Sequence, residues 1–149
     1  MASDAVRLRP MTGSDIGHCR VLLSQLGYEM TAGQLERRFG EVSSAPEHSL
    51  LVAEAAGRVV GLMHIFARPA LENPREVVVQ AIVVDKAFRR SGAGRRLMAA
   101  AEHWGSERGC RSVVLSSNIA RAPAHAFYAA LGYRVSATSL VLRKDLPPG

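Results

Sequence analysis

The feature of this sequence that most constrains its fold is an apolar, strand-like run that ends in a basic loop punctuated by glycine. Residues 76–84 are mostly apolar, and residues 85–97 continue as Asp-Lys-Ala-Phe-Arg-Arg-Ser-Gly-Ala-Gly-Arg-Arg-Leu. Gly92 and Gly94 let a ligand approach the backbone closely, and the residues after them have a helical pattern. A helix start offers unpaired N–H groups and partial positive charge, so this strand–loop–helix unit predicts an anion-binding site.

Two common phosphate-binding loops do not fit this segment. A P-loop requires a Lys-Ser or Lys-Thr pair after its glycines, and none follows here. A dinucleotide fingerprint requires a third glycine three residues after Gly94, where this chain has Leu97. What remains is Arg89-x-x-Gly92-x-Gly94. This string resembles the Arg/Gln-x-x-Gly-x-Gly/Ala pyrophosphate loop of the GNAT superfamily of acyl-CoA-dependent N-acyltransferases.

A second segment with the same resemblance lies downstream. Residues 121–133 read Arg-Ala-Pro-Ala-His-Ala-Phe-Tyr-Ala-Ala-Leu-Gly-Tyr. They resemble the superfamily's last helix, which carries a tyrosine and closes with Leu-Gly-Phe or Leu-Gly-Tyr before a strand. The two motifs stand in the family's order, and the resemblance covers nearly the whole chain. The sequence is therefore identified as a member of this superfamily.

The predicted elements have the order β-α-α-β-β-β-α-β-α-β-β. The resemblance implies an α/β fold with a mixed, largely antiparallel sheet, in a single domain over residues 1–146 with a loose tail at 147–149. Local signals predict a first helix that ends at Gly27 and a second that runs from a Thr31 capping box to Gly40. Closing strands are expected over residues 133–136 and 140–143.

The pattern of side chains also predicts which faces are buried. Strict alternation in the fourth strand would place Val79, Ala81 and Val83 on one face and Val78, Gln80, Ile82 and Val84 on the other. The helix after Gly92 is expected to run to about Gly109. Its buried stripe is predicted to consist of Leu97, Met98, Ala101 and Trp104.

The resemblance implies where acetyl-CoA would bind. In the family the fourth and fifth strands splay apart, and the pantetheine arm enters between them. The expected cofactor contacts are the backbone of Ile82, Val83 and Val84, the loop residues Arg89, Arg90, Ser91, Gly92, Ala93, Gly94 and Arg95, and, further on, Asn118, Arg121 and His125. Many relatives have an asparagine seven residues before the tyrosine, where this chain has Arg121. We therefore expect Arg121 to contact a phosphate. Asn118 fits a cofactor contact and a turn or cap role equally well.

The chemistry implied is transfer of an acetyl group to a primary amine by direct attack in a ternary complex. Tyr128 is the expected general acid, because a neutral phenol can donate a proton to the departing thiolate. Several relatives take the amine's proton with a glutamate on the fourth strand, but Gln80 occupies that position here and an amide is no base. The alternatives left open are His64, Glu54, Glu76 or no base at all.

Charge and composition bear on which partner the chain binds. The net charge is +6 with a pI near 10.1, which favours an acidic partner such as a phosphate-bearing cofactor or nucleic acid. The arginines are spread along the chain without interleaved aromatics, so nucleic acid is not the expected partner. Neither Cys19 nor Cys110 has a Cys-x-x-Cys partner, so no metal is expected.

Location, assembly and acceptor follow from weaker signals. The sequence has neither a signal-peptide core nor a run of 18 apolar residues, so a cytoplasmic protein without membrane contact is expected. The resemblance implies a homodimer. The acceptor is expected to be a small-molecule amine such as an aminoglycoside, polyamine or amino-acid derivative. Protein N-termini or lysines are the first alternative, and a non-catalytic acyl-CoA-binding or sensing domain is an alternative of another class.

Overall fold

The computed structural model describes residues 5–117 and 122–148. The chain divides into two compact units, Met1–Ser116 and Ser117–Gly149. The first unit contains β1 (Arg7–Pro10), α1 (Ile16–Leu26), α2 (Ala32–Ser43), β2 (His48–Ala55), β3 (Arg58–Arg68), β4 (Glu76–Val84), α3 (Ala93–Glu107) and β5 (Ser112–Leu115). Short 3-10 turns, Gly13–Asp15 and Lys86–Phe88, precede α1 and α3. The second unit contains α4 (Ala122–Ala130).

The first unit is built on one mixed sheet of five strands in the order β1-β2-β3-β4-β5. The first four strands pair antiparallel, and β5 pairs parallel with β4 after the α3 crossover. The predicted mixed α/β architecture is confirmed, and so is the order of elements from β1 through α4.

Local signals in the sequence account for the helix boundaries. Gly27 ends α1 in the left-handed conformation, at φ +108°. The Thr31–Gln34 capping box begins α2, since the Thr31 hydroxyl accepts from Gln34 N and Gln34 Oε1 accepts from Thr31 N. The predicted end of α2 at Gly40 is wrong: the helix continues to Ser43, and the hydroxyls of Ser43 and Ser44 bond to the Gly40 carbonyl.

The sheet separates two apolar layers. On one face, Val52, Leu62 and Val83 pack in a cluster with α1 and α2 residues such as Leu22 and Leu35. The other face is covered by α3, whose Leu97, Met98 and Ala101 are fully buried as predicted. Trp104 is only half-buried and lies under the Arg108 guanidinium at 4.1 Å; Ala93 and Gly105 complete the buried stripe in its place.

A β-bulge at Gln80 corrects the predicted alternation in β4. Val79 pairs with Ile65 of β3 and Ala81 pairs with His64, so Gln80 is an extra residue without an opposite partner. The bulge reverses the side-chain parity of the strand. Val79 therefore faces α3, together with Val77, whereas Val83 faces α1 and α2. The prediction that Val79, Ala81 and Val83 share a face is wrong because strict alternation assumes a regular strand.

The two predicted closing strands lie in the second unit, and their pairing with other strands stays a prediction. Residues 133–148 contain no strand, although they carry the exposed apolar side chains Val135, Leu140, Val141, Leu142 and Leu146. A strand forms only by pairing its backbone with a neighbour, and the described part of the second unit offers these residues no other strand. The alternating pattern indicates that the segment can form a strand, and pairing with another strand decides whether it does.

Candidate functional site

The candidate site begins at an open edge of the sheet. β5 pairs only with residues 76–79 of β4 and ends at Leu115, so the rest of β4 has no neighbour on that side in the described first unit. Asp85 N–H donates to the Val60 carbonyl at 2.8 Å, which fixes the orientation of the ladder. By the antiparallel alternation, Val83 turns its backbone groups toward β3, whereas Ile82 and Val84 turn theirs toward the open edge. This edge can accept an extended ligand as a further strand.

The open edge leads into a loop with an unusual backbone. Arg90 has φ +72° and Gly92 has φ +91°, both in the left-handed region. That conformation is costly for arginine, and a side chain is held in it only where its surroundings require the turn. Gly92 is the N-cap of α3, and the first intrahelical bond runs from Arg96 N to Gly92 O at 3.0 Å.

The loop leaves several N–H groups for a ligand. Ser91 N–H is used by the Phe88 carbonyl at 3.1 Å, and Ala93 N–H by the Ser91 hydroxyl at 3.2 Å. Gly94 and Arg95 lie in the first turn of α3, where N–H groups have no intrahelical acceptor. The helix start is therefore suited to bind a phosphate.

Arginine side chains surround this helix start. Arg89, Arg90 and Arg95 are exposed, and in the residues the structure covers no carboxylate pairs with any of them. Arg96 differs, because its guanidinium donates to the Val6 carbonyl and ties α3 to the chain before β1. The positive charge at the loop is thus supplied by three arginines that are not neutralised.

Neighbouring elements hold the loop in place. Arg58 of β3 pairs with Asp85 at 3.3 Å and stacks over the Phe88 ring at 4.8 Å. Gln25 of α1 accepts from Lys86 N–H at 3.0 Å, and the Asp85 carboxylate caps the 3-10 turn through Ala87 N–H at 3.0 Å. Contacts from two elements fix the approach to α3, which favours a preformed binding site.

The second unit carries the predicted general acid. Tyr128 and His125 lie three residues apart on α4, where neighbours at this spacing share a flank, and both are half-buried. The Tyr128 ring packs edge-to-face against Phe127 at 5.1 Å and Tyr133 at 6.1 Å. Gly132 ends the helical turn at φ +94°, as predicted. Asn118 and Arg121 lie outside the described residues.

Comparison with known proteins shows the family of this chain. Residues 21–133 match the acetyltransferase (GNAT) family. The chain belongs to this family. As a member it is an acyl-CoA-dependent N-acetyltransferase that uses acetyl-CoA as co-substrate. The predicted family, enzyme class and co-substrate are confirmed.

Relatives of this acetyltransferase include aminoglycoside-modifying enzymes. The chain is 27% identical over 118 residues to aminoglycoside N(6')-acetyltransferase type 1 of Stenotrophomonas maltophilia, covering 76% of this chain and 77% of that protein. It is 25% identical over 144 residues to the enzyme of the same name from Salmonella typhimurium, covering 92% and 97%. The structure of AAC(6')-Iy with the bisubstrate analogue CoA-S-monomethyl-acetylneamine shares the fold, with TM-score 0.83 and 23% identity over 95% of this chain and 99% of that one.

The three candidate bases of the acetyltransferase lie in different surroundings. Glu54 pairs with Arg9 at 3.1 Å near β1, and Glu76 is buried and pairs with Arg68 at 2.6 Å. Both carboxylates are neutralised by arginine. His64 instead lies opposite Ala81, next to the Gln80 bulge and one strand in from the open edge of β4. Only His64 lies beside the edge where the donor is expected.

His64 has a partner that the sequence analysis missed. His48 Nδ1 and His64 Nε2 are 2.8 Å apart and share a hydrogen bond, and the His48 ring stacks on Phe66 at 4.9 Å. Burial, together with the neighbouring His48, lowers the pKa of His64 to about 4. The two histidines are brought together by the register of β2 and β3, and that register depends on a second bulge, at Val60. A local sequence pattern therefore does not reveal the pair.

The possible metal ligands and the two cysteines show no arrangement for metal or thiol chemistry in the described residues. Among residues 5–117 and 122–148, no three His, Cys, Asp or Glu side chains come close enough together to hold a metal ion. Cys19 is buried and Cys110 half-buried, and both are free thiols. Burial raises the pKa of the Cys19 thiol to about 12. None of the helices in the described ranges is long and apolar enough to cross a membrane.

Proposed function

We propose that this acetyltransferase moves an acetyl group from acetyl-CoA to the primary amine of a small molecule, by direct attack in a ternary complex. The observation that carries the proposal is the open edge of β4 running into the N–H-rich, arginine-lined start of α3. An extended amide-bearing arm fits the edge as an added strand, and a pyrophosphate fits the helix start. Acetyl-CoA has both parts and supplies the activated acetyl thioester.

The chain's own groups have distinct roles in this proposal. Backbone groups of Ile82 and Val84, with Val83 between them, bind the arm along β4, and a free N–H of that edge polarises the thioester carbonyl. Residues 89–95 hold the phosphates, with Asn118, Arg121 and His125 as further contacts. Tyr128 donates a proton to the departing thiolate. The amine forms the new N–C bond as the C–S bond breaks, so no acyl-enzyme is needed.

The catalytic part of the proposal is tested by Tyr128→Phe. We expect kcat to fall by about 10²-fold, because positioned proton donors contribute about 10²–10⁴-fold. The KM for acetyl-CoA should stay within about twofold of the wild-type value, because removing a proton donor from the transition state leaves ground-state binding intact. Tyr133→Phe is the matched control, since it removes the same hydroxyl from the ring packed against Tyr128. An unchanged kcat in Tyr128→Phe would remove this residue from the mechanism.

The acceptor is the finer part of the proposal. The curated relatives are named aminoglycoside N(6')-acetyltransferases, which supports a small-molecule amine such as an aminoglycoside, a polyamine or an amino-acid derivative. The test is CoA release from purified protein and acetyl-CoA against a panel of these amines, with peptides bearing a free N-terminus or lysine beside them. Preference for a peptide would replace the small-molecule acceptor, and CoA binding without release on any amine would favour a sensing domain.

Assembly and location complete the proposal. We include a homodimer, because Val135, Leu140, Leu142 and Leu146 are each more than 80% exposed. Apolar side chains this exposed are typical of surfaces that another chain covers. Light scattering of the purified protein measures the assembly. A cytoplasmic location is proposed with it, since acetyl-CoA is an intracellular metabolite.

A further inference from the structure

The His48–His64 pair is a cluster of titratable side chains that cofactor binding leaves unexplained. We infer that it is the proton-accepting device of the acetyltransferase, in which His64 takes the proton of the attacking amine through water and His48 passes it to solvent. The inference rests on the proposed function, because it requires an amine to attack at the open edge of β4.

The first argument is position. The His64 side chain lies on the α1/α2 face of β3, and its partner on β4 is Ala81, the first regular residue after the bulge. Adjacent strands are about 4.8 Å apart, so His64 stands roughly two strand spacings from a ligand bound along the outer edge of β4. Ala81 is the residue between them on this face, and its methyl group leaves room for a water or an amine. A gap of this size is bridged by a short chain of water molecules, because one hydrogen bond spans about 2.8 Å.

The second argument is access. On the α3 face at this level the sheet is closed, because Met63 and Ile65 are fully buried and Val79 is 6% exposed. On the α1/α2 face at the same level, His64, Phe66 and Ala81 are all half-buried. An acceptor that reaches the edge through solvent therefore comes from the side on which the two imidazoles stand.

The third argument is the bonding of the two rings. His64 Nε2 and His48 Nδ1 are engaged with each other, which leaves His64 Nδ1 and His48 Nε2. The described residues contain no buried side-chain nitrogen or oxygen without a partner, and no hydrogen bond is formed there by these two atoms. Both nitrogens therefore reach solvent. The pair connects one solvent-accessible nitrogen to another through a 2.8 Å hydrogen bond.

The charges around the pair keep it available as an acceptor. On the same face, Arg68 is paired with Glu76, and Glu47 beside His48 is paired with Arg75. Charged side chains on the covering helices, namely His18 and Arg20 of α1 and Glu36, Arg37, Arg38 and Glu41 of α2, are exposed. Within residues 5–117 and 122–148 no carboxylate forms an ion pair with His64, and its lowered pKa of about 4 leaves the ring neutral above about pH 5. A neutral ring keeps a lone pair for the incoming proton.

The proton balance is simple. The amine nitrogen forms its bond to the acetyl carbon and loses one proton through water to His64 Nδ1. His64 then gives the proton on Nε2 to His48 Nδ1, and His48 releases one from its outer nitrogen to solvent. The starting tautomers return when His64 Nδ1 releases its proton to solvent, His48 Nδ1 gives one back to His64 Nε2, and His48 Nε2 regains one from solvent. The thiolate that leaves as the C–S bond breaks takes one proton, which the proposed function assigns to Tyr128. His64 is the proton-accepting residue, and His48 is a positioning residue that acts through it.

The decisive experiment is His64→Ala, with His103→Ala as the matched control on the exposed side of α3. With an amine that the wild type acetylates, we expect kcat to fall by about 10²-fold, because a positioned base contributes about that much. Acetyl-CoA affinity measured by calorimetry should be unchanged. Added imidazole should restore part of the lost rate in His64→Ala and should not accelerate the wild type or His103→Ala. If His64→Ala does not fold, His64→Asn carries the same expectation.

A second measurement needs no turnover. NMR titration of the wild-type protein should show the His64 imidazole titrating with a pKa of about 4. His48→Phe keeps a ring stacked on Phe66 but removes the neighbouring imidazole, so the pKa of His64 should rise.

The outcomes separate the two proposals. A wild type that acetylates no amine refutes the proposed function itself. An active wild type with unchanged kcat in His64→Ala, or with lost activity that imidazole does not restore, overturns the proton-accepting pair alone. A His64 pKa that does not move in His48→Phe removes His48 from it.

Discussion

The sharpest structural prediction concerns Gly105, where α3 packs against the sheet that carries the candidate site. A Cβ added at this position would lie 2.3 Å from Val77 Cγ2. Val77 is fully buried in β4 and pairs with Val113 of β5, and a β-branched side chain has few rotamers with which to move away. Gly105→Ala therefore forces α3 off the sheet or Val77 out of its rotamer.

The magnitude follows from two opposing effects. Overpacking of a filled core costs about 1–3 kcal/mol. Replacing glycine with alanine inside a helix gains about 0.5–1 kcal/mol. We expect a net loss of about 1–2 kcal/mol in the free energy of unfolding. For a chain of this size about 1 kcal/mol shifts Tm by about 2–4 °C, so Tm should fall by about 2–8 °C.

The assay is thermal and urea unfolding of Gly105→Ala beside Gly40→Ala. Gly40 is an exposed position in α2 with nothing within 4 Å of an added Cβ, so its alanine variant keeps only the helix gain and should melt about 1–4 °C higher than the wild type. In a Val77→Ala background the Gly105→Ala penalty should disappear, because the clashing methyl is gone. Equal stability of the two single variants, or a penalty that persists without Val77, would refute the packing argument.

Two further predictions follow from the described geometry. Asp15 accepts from both Arg9 guanidinium nitrogens at 2.8 Å, and this pair lowers its pKa from 3.8 to about 2, so the stabilisation is present above about pH 4 and is lost as the pH falls toward 2. Asp15→Asn should therefore unfold about 2 kcal/mol more easily at pH 7, with the difference closing near pH 2, and a pH-independent difference would contradict the ion pair. In Gly92→Ala the added methyl group meets no atom within 4 Å, but it stands on a backbone at φ +91°, which costs about 1–2 kcal/mol. The CoA affinity of this variant, measured by calorimetry, should fall by about 5–30-fold, whereas that of exposed Gly13→Ala should match the wild type. Equal affinities of the two variants would show that the backbone at Gly92 is not needed for CoA binding.

Signals confined to a few adjacent residues predicted the fold well. The Thr31–Gln34 capping box, the Gly27 terminus of α1 and the glycine entry to α3 all stand where the sequence places them. Each is a local hydrogen-bonding or steric requirement that tertiary contacts do not change. The closing strands depend on information of the complementary kind. Their alternation is a property of residues 133–143 alone, whereas a strand also needs a partner ladder, and the described part of the second unit offers none.

Two inserted residues explain why the candidate site was only half predictable. Counting the β2–β3 hairpin back from its Ala55–Arg58 pair without a bulge would set His64 opposite Ser49 and put His48 on the other face. The bulge at Val60 shifts the register by one, so Leu50 faces His64 and the two histidines share a face.

The bulge at Gln80 acts in the same way on the next strand. In a regular β4, the side chains of Gln80 and Ile82 would lie on the α1/α2 face and crowd His64. The extra residue moves Ile82 to the face of Met63 and brings the small Ala81 next to His64, at the level where β5 has already separated from β4. Bulges depend on long-range pairing rather than on a local sequence pattern, so the motif reveals the donor loop but not the imidazole pair. The proposed phosphate-binding loop is thus encoded in one contiguous segment, whereas the proposed proton acceptor exists only through the register of three strands.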